Sequence, residues 1–502
     1  MSEVWGGQWV AERLRLRLAT GSPASPLALT DLVGLALRRN PRRTHLLVSS
    51  VLGKHVPTHP AIVYGAGRLL GALAADHIAG RDSGVAAAGA LLLRSALKGS
   101  PDAAAELLAR CAEHADSPPA GWPAVIESVT VLGYAETATA LGHAVADALG
   151  ADYLHSTRRR PPGVREAGRF EEEHSHATRH LLLPEDATML ARHGPLLLVD
   201  DELSTGQTAL NTIVALHARA PRSRYVIATL VDLRSAADRA RMASVAASLG
   251  VGISVVALAE GHIQFPPDAA SIGQQLITDH DLPTDPPAGH TTPRRLPLKG
   301  WTGVREGGRH GFHHQDRAAL RAASSRVAAQ AAGVLAGNRV LVLGFEELMY
   351  APLLIAERLK DLLPDVDIRF SSTTRSPVVA IDEPGYAIRT QLIFPSHDDP
   401  ADGPGPRFAY NVAPGADPDH RFSDIVVVVD DVGDTAALHA PGGLLSQLTG
   451  CCDQVHLLTL PSYLPLPEPT PCLPAPSPIA ACQNPYTDRA LAATTLTRWP
   501  GS

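Results

Sequence analysis

The stretch from Leu196 to Thr208 constrains the fold more than any other part of the sequence. Its four apolar residues at 196–199 predict a strand that is buried on both faces, with Asp200 and Asp201 at the carboxyl end. The hydroxyl and backbone N–H groups of the next loop can hold a phosphate at the start of a helix over 209–217. These loop residues are Ser204, Thr205, Gly206, Gln207 and Thr208. Because carboxylates accept hydrogen bonds from vicinal sugar hydroxyl groups, an acid pair beside a phosphate loop suits a sugar phosphate.

Composition narrows the class of protein. A chain of 502 residues is long for one domain, and two or three are expected. The net charge of −7 argues against nucleic acid as a partner. No apolar run approaches a membrane span, and the amino terminus lacks the features of a signal peptide, so we expect a cytoplasmic protein without a membrane partner. The five cysteines fit neither a disulfide framework nor a zinc spacing and are expected to be free thiols.

The order of predicted elements indicates an α/β fold. From residue 119 onward, strands and helices alternate, as is typical of an open, mostly parallel sheet. The preceding segment is predicted to be mainly helical, with one helix over Leu27–Leu37, and forms either a hood over a site or a packing layer. Lys54 and His55 lie on a loop of this segment, where they either reach a diphosphate or are solvated.

Changes in composition predict five regions. They are a helical lead (1–118), a first core (119–280), a Pro-rich linker (281–318), a second core (319–460) and a Pro-rich tail (461–502).

The second core repeats three elements of the first in the same order. The matching pairs are Val129–Glu136 with Arg339–Glu347, Asp152–Arg158 with Asp367–Arg375, and Leu196–Asp201 with Asp424–Asp431. We infer an internal duplication. The second acid pair, Asp430 and Asp431, is followed by Asp434 where a phosphate would lie, so this copy looks degenerate as a phosphate site. Residues 163–170 and 303–310 also share a Gly-Val-Arg-Glu segment. It lies inside the first core but before the second, so a simple tandem duplication does not explain it. Either the similarity arose by chance or both segments contact a similar anion.

The stretch 196–208 resembles the phosphoribosyl-pyrophosphate (PRPP) motif of the type I phosphoribosyltransferases. The resemblance implies that fold for the first core, with a helical N-terminal region and a second related α/β core. It also implies that Asp200 and Asp201 hold the ribose hydroxyls and, through water, Mg²⁺, while 204–208 bind the 5′-phosphate. In this family a loop corresponding to Ala135, Glu136 and Thr137 binds pyrophosphate, and basic residues at Arg158 and Arg159 face it, as in orotate-type enzymes.

Two further features follow from the resemblance. The stretch 161–180 corresponds to a mobile lid that excludes water, with His174, His176 and Arg179 as candidates for a catalytic role or else as part of a solvated charge run. Glu202 stands where the family has an aliphatic residue, and its charge repels PRPP unless Mg²⁺ or a basic residue intervenes.

The segment Thr374-Arg375-Ser376-Pro377 resembles the TRSP domain. This domain is found behind a phosphoribosyltransferase domain in bacterial gene clusters associated with tellurium resistance and stress, where the family is inferred to help make a nucleoside-like or ribosyl compound. Type I relatives usually dimerise, which makes a homodimer possible here.

Our leading hypothesis is an Mg²⁺-dependent transfer of ribose 5-phosphate from PRPP to an unidentified base or amine, with little demand for a protein nucleophile. The rival hypothesis is a regulatory protein that senses PRPP or a nucleotide without turnover. A third reverses the chemistry, as in a phosphorylase-like use of a ribosyl nucleotide.

Overall fold

The computed structural model describes residues 4–21, 27–40, 43–118, 122–126, 128–171, 179–281, 289, 291–398 and 405–465. Most of the predicted Pro-rich tail, from Leu466, lies outside the described residues, as do His174 and His176. Within the described part, none of the helices is long and apolar enough to cross a membrane.

The lead combines long helices with three strands. Its elements are α1 (Gln8–Arg13), β1 (Arg17–Thr20), α2 (Leu29–Leu32), β2 (Val33–Leu37), β3 (His45–Ser49), α3 (Pro60–Ala79), α4 (Val85–Leu97), α5 (Pro101–Asp116) and α6 (Trp122–Ile126). Helix α3 starts with Pro60 and is followed by Gly80 at a φ of +65°, as suits the two ends of a helix.

The predicted helix over Leu27–Leu37 is wrong for most of its length. Only α2 is helical, and β2 then pairs antiparallel with β3. All five residues of β2 are buried, and a short apolar run of this kind does not distinguish a strand from a helix by periodicity. The segment is a strand because it pairs with β3.

The first core is a mostly parallel sheet flanked by helices. Its elements are β4 (Thr130–Gly133), α7 (Thr139–Leu149), β5 (Asp152–His155), β6 (Gly168–Glu171), β7 (Arg179–Leu182), β8 (Leu196–Leu203), α8 (Gln207–His217), β9 (Arg224–Asp232), α9 (Ala236–Leu249), β10 (Gly252–Gln264) and α10 (Ala269–His280). The strand order is β1-β10-β9-β8-β4-β5, and β1 alone among these six is antiparallel to its neighbour. Strands β6 and β7 form a separate antiparallel pair.

The second core has a parallel sheet of five strands. Its elements, with one short strand from the linker, are β11 (Arg294–Arg295), α11 (Asp316–Ala332), β12 (Arg339–Gly344), α12 (Tyr350–Leu362), β13 (Asp367–Ser372), β14 (Gln391–Pro395), β15 (Pro406–Tyr410), β16 (Phe422–Asp430), α13 (Ala436–His439), α14 (Leu444–Leu448) and β17 (Cys452–Leu460). The strand order is β11-β17-β16-β12-β13.

The two sheets share one topology, as a duplication predicts. The order β9-β8-β4-β5 in the first core matches β17-β16-β12-β13 in the second. Each core also inserts an antiparallel pair, β6–β7 or β14–β15, between its second and third matching strands along the chain.

Residues 306–312 of the predicted linker pack into the fold. Phe312 pairs with Tyr153 of β5 through two backbone hydrogen bonds of 2.8 and 2.7 Å. Glu306, Arg309 and His310 are buried. Composition alone therefore missed a segment that packs on the first core.

The buried carboxylate of Asp147 on α7 joins helices of three regions. Tyr64 of α3 donates its hydroxyl to Asp147 at 2.6 Å, and Tyr350 of α12 donates a second hydroxyl to the same oxygen. Arg317 of α11 forms an ion pair with the other carboxylate oxygen. A buried charge is tolerated only when it is paired and hydrogen-bonded, so this carboxylate ties the lead and both cores into one structure.

Replacement of Asp147 tests this joint. We expect Asp147→Asn to lower the free energy of unfolding by about 3 kcal/mol, because Arg317 loses its buried partner. Urea denaturation measures the change. Arg358→Ala, which removes an exposed ion pair with Asp361, is the control and should cost less than about 1 kcal/mol. Equal effects of the two substitutions would contradict the role of Asp147.

Candidate functional site

A cavity of about 430 Å³ lies at the carboxyl ends of β4, β5 and β8, between the lead and the two cores. The lead contributes Arg38, Arg43, Leu46, Leu47, Lys54 and His55; the first core contributes 134–137, Arg158, His180 and 200–209; the second core contributes 374–377 and 405–408. Ligands of parallel α/β sheets bind at this edge.

The structure brings most of the predicted site residues together around this cavity. The residues that line it are Ala135, Glu136, Thr137, Arg158, Asp200, Asp201, Ser204, Thr205, Gly206, Gln207 and Thr208. Of the lid candidates, His174 and His176 lie outside the described residues, and Arg179 begins β7. Its neighbour His180, which was not predicted, lines the cavity and hydrogen-bonds Ser156.

The loop after the acid pair presents a helix N-terminus to the cavity. Gly206 precedes α8 with a φ of +79°, a conformation that favours glycine, and a Cβ there would meet Met242 Cε at 2.9 Å. Gln207 N donates to Thr205 Oγ1 at 3.3 Å. The first N–H groups of a helix and its dipole favour an anion, so this loop is suited to a phosphate.

The acid pair places two neighbouring carboxylates at the wall of the cavity. Burial raises the pKa of the Asp201 carboxyl, Glu202 adds to the rise, and Lys54 opposes it. Asp200 accepts a hydrogen bond from Asp201 N at 3.0 Å. A cation at this pair would relieve the cost of the charge.

The pair fits Mg²⁺ that is shared with a substrate. No group of three His, Cys, Asp or Glu residues suited to a metal occurs in the described ranges. Mg²⁺ is usually held by one or two carboxylates together with substrate phosphates, and Asp200 and Asp201 provide two such carboxylates.

Glu202 has a basic partner. Arg43 Nη2 lies 2.5 Å from Glu202 Oε1, and both side chains are mostly buried beside the cavity. The departure of Glu202 from the family pattern is therefore balanced by a residue of the lead, which the sequence did not connect with it.

Glu136 is the centre of a second charged cluster. Lys54 Nζ lies 3.6 Å from its carboxylate and donates to Thr137 Oγ1 at 2.7 Å. Arg158 Nη1 lies 3.9 Å away. Burial by itself raises the pKa of Glu136, but the charges of Lys54, Arg158 and Arg375 outweigh burial and hold this pKa below its ordinary value.

The second core supplies residues to this cluster that the sequence did not assign to the site. Thr374 Oγ1 donates to Glu136 Oε2 at 3.0 Å. Arg375 Nε lies 3.4 Å from Glu136 and 2.6 Å from Glu346, and Arg407 Nε also donates to Glu346. The available signal was the match of Thr374-Arg375 with Thr157-Arg158 in the duplication.

Arg159 does not face the cavity, in contrast to the expectation for it. It forms ion pairs with Asp430 and, at 3.2 Å, with Asp398 of the second core. Arg158 lines the cavity, whereas Arg159 is buried among carboxylates of the second core. Asp430 of the second acid pair is thereby paired with a cation of the chain itself.

Comparison with known families assigns two parts of the chain. Residues 32–262 match a family described as phosphoribosyl transferase, and residues 306–448 match one described as the TRSP domain, C-terminal to that transferase. No curated protein matches the chain.

Solved structures of phosphoribosyltransferases are among those that the chain resembles. Adenine phosphoribosyltransferase from Giardia lamblia, complexed with 9-deazaadenine, is 22% identical over 34% of this chain and 85% of that one, with a TM-score of 0.23. The enzyme from Rhodothermus marinus is 20% identical over 32% and 81%, with a TM-score of 0.22. The enzyme from Trypanosoma brucei is 13% identical over 26% of this chain, with a TM-score of 0.19, and the chain spans only 55% of that enzyme's length. At these scores the assignment depends on the two family matches.

The pair of Arg43 and Glu202 generates a test. We expect Arg43→Ala to weaken binding of ribose 5-phosphate about fivefold, because one uncompensated charge near a phosphate costs about 1 kcal/mol. Calorimetry of the full chain measures the affinity. The double variant Arg43→Ala/Glu202→Gln should recover most of the loss. If the single variant binds as tightly as the wild type, Arg43 does not neutralise Glu202 for the ligand.

Proposed function

We propose that the cavity transfers ribose 5-phosphate from PRPP to a base or an amine, in keeping with the match of residues 32–262 to the phosphoribosyl transferase family and of residues 306–448 to the TRSP domain. The observation that carries the proposal is the convergence of an acid pair, a helix-start phosphate loop and the Glu136 loop on one cavity. These three parts match the three parts of PRPP, namely its ribose hydroxyls, its 5′-phosphate and its diphosphate.

In this proposal each part of the cavity has one task. Asp200 and Asp201 accept hydrogen bonds from the ribose hydroxyls, and the backbone N–H groups of 204–208 bind the 5′-phosphate. The loop 135–137 and Arg158 receive the diphosphate. Asp200 and Asp201 are the residues that would hold Mg²⁺, and the ion would supply positive charge to stabilise the leaving diphosphate.

The chemistry depends mainly on position and charge. Carbon–oxygen cleavage leaves positive charge on the ribosyl ring and negative charge on the diphosphate. The carboxylates of Asp200 and Asp201 lie on the side of the ring, and Lys54 and Arg158 lie on the side of the leaving group. Exclusion of water by the segment 161–180 would protect the activated ribosyl group from hydrolysis.

For the acceptor substrate we propose only a chemical class. A nucleobase or an amine can enter beside the hairpin β2–β3, whose residues Arg43, Leu46 and Leu47 line the cavity. The role in making a nucleoside-like compound under stress is part of this proposal and follows from the resemblance of the TRSP segment.

Binding of PRPP with Mg²⁺ to the full chain is the first test. We expect the double variant Asp200→Asn/Asp201→Asn to lose at least about tenfold in affinity, since it loses both charged acceptors for the ribose hydroxyls and Mg²⁺. Asp268→Asn is the matched control, because that exposed carboxylate pairs with Arg15 outside the cavity. If the double variant binds PRPP as tightly as the wild type, the cavity is not the PRPP site proposed here.

Release of diphosphate separates transfer from sensing. With PRPP, Mg²⁺ and a panel of nucleobases and amines, an enzyme releases diphosphate in the presence of its acceptor, whereas a PRPP sensor binds PRPP and releases none. The charge of Glu202 is no argument for a sensor without turnover, because Arg43 forms an ion pair with it beside the cavity.

A further inference from the structure

The two cores exchange matching hydrogen bonds. Thr374 Oγ1 and Arg375 N of the second core donate to Glu136 of the first, at 3.0 and 3.4 Å. In return, Thr157 Oγ1 and Arg158 N of the first core donate to Glu347 of the second, at 2.7 and 2.8 Å. The donors and acceptors occupy equivalent positions of the duplication. The cores therefore face each other as two copies do in a symmetric dimer, where each contact occurs twice.

The part of this arrangement around Glu347 of the second core is filled by side chains of the chain itself. Arg159 pairs with Asp430, and Arg309 lies 3.3 Å from Glu347 and 3.5 Å from Glu306. The cavity beside Glu347 has a volume of about 10 Å³, room for about one water molecule. By contrast, Thr374 and Arg375, the equivalent donors of the second core, line the open cavity of about 430 Å³.

The open half gathers cationic side chains at one wall of the cavity. In the described part of the chain, Lys54, Arg158, Arg375 and Arg407 lie there next to the carboxylates of Glu136, Glu346 and Asp398, and each of these side chains is at most 11% exposed. Ammonium and guanidinium groups beside a cavity can donate hydrogen bonds to anionic oxygens, so this wall suits a phosphate or diphosphate group.

Two of these cations, Arg375 and Arg407, belong to the second core, and Arg375 contacts Glu136 of the loop 135–137. Arg375 is held between Glu136 and Glu346, and Arg407 holds Glu346 from its other side. A guanidinium can share its five N–H donors, so Arg375 can keep a carboxylate and also donate to a phosphate oxygen.

We propose that the segment 374–377, with Arg375 as the contacting residue and Arg407 as a positioning residue, is the second core's half of the diphosphate site. This inference rests on the proposed function, since the diphosphate is that of PRPP. The second core then acts as a built-in partner that completes the site of the first, and its own equivalent site is closed by Arg159 and Arg309.

Calorimetry of the full chain with inorganic pyrophosphate and with ribose 5-phosphate, both with Mg²⁺, tests this assignment. We expect Arg375→Gln to weaken pyrophosphate binding at least about tenfold and to leave ribose 5-phosphate binding within about twofold, because Arg375 lies 3.4 Å from Glu136 in the loop proposed to bind the diphosphate. Arg375→Lys should recover part of the loss, since it restores the charge without the forked donor. Arg369→Gln is the control; Arg369 lies on β13, shortly before Arg375 in the chain, and it pairs with Asp367 and does not line the cavity.

The outcomes separate this inference from the proposed function. If the wild type binds both ligands and Arg375→Gln binds pyrophosphate equally well, Arg375 is no part of the diphosphate site. Loss of both ligands in Arg375→Gln and in Arg375→Lys would show that Arg375 only maintains the fold, which also overturns the inference. If the wild type binds neither ligand, the proposed function itself fails.

Discussion

The ion pairs around the Glu136 carboxylate are the interaction on which the site depends. Glu136 is 4% exposed, and a carboxylate buried to this extent needs cationic partners. The lead supplies Lys54, the first core supplies Arg158 and the second core supplies Arg375. Three distant parts of the sequence are thereby fixed around one loop, and the cavity lies where they meet.

Duplication explains how one chain came to hold two similar cores with different sites. Both cores keep the same strand order and the same reciprocal hydrogen bonds. We infer that the second core no longer binds a phosphate, because Asp434 follows its acid pair and there pairs with Arg295 and accepts a hydrogen bond from Thr459 at 2.7 Å. A carboxylate at that position repels a phosphate, and in our proposal the second core instead supplies Arg375 to the site of the first.

The sequence predicted the local parts of the site and missed those that depend on distant contacts. A buried strand followed by Asp200, Asp201 and a Gly-containing loop has a strong local pattern, and the structure places this stretch at the cavity. The segment of β2 was predicted as part of a helix because a short apolar run does not reveal its pairing with β3, which lies 8 to 16 residues later in the chain. Arg159 was assigned to the cavity from its residue type alone, whereas its position is decided by Asp398 and Asp430, carboxylates more than 200 residues later in the chain.

A structure of the full chain with a non-reactive PRPP analogue and Mg²⁺ tests the central claim most directly, namely that both cores build one diphosphate site. The account predicts the 5′-phosphate at the loop 204–208 and the diphosphate between Thr137 and Arg375, within hydrogen-bond distance of both. A diphosphate bound beyond the reach of Arg375, or an analogue seated at Asp430 in the second core, would contradict it.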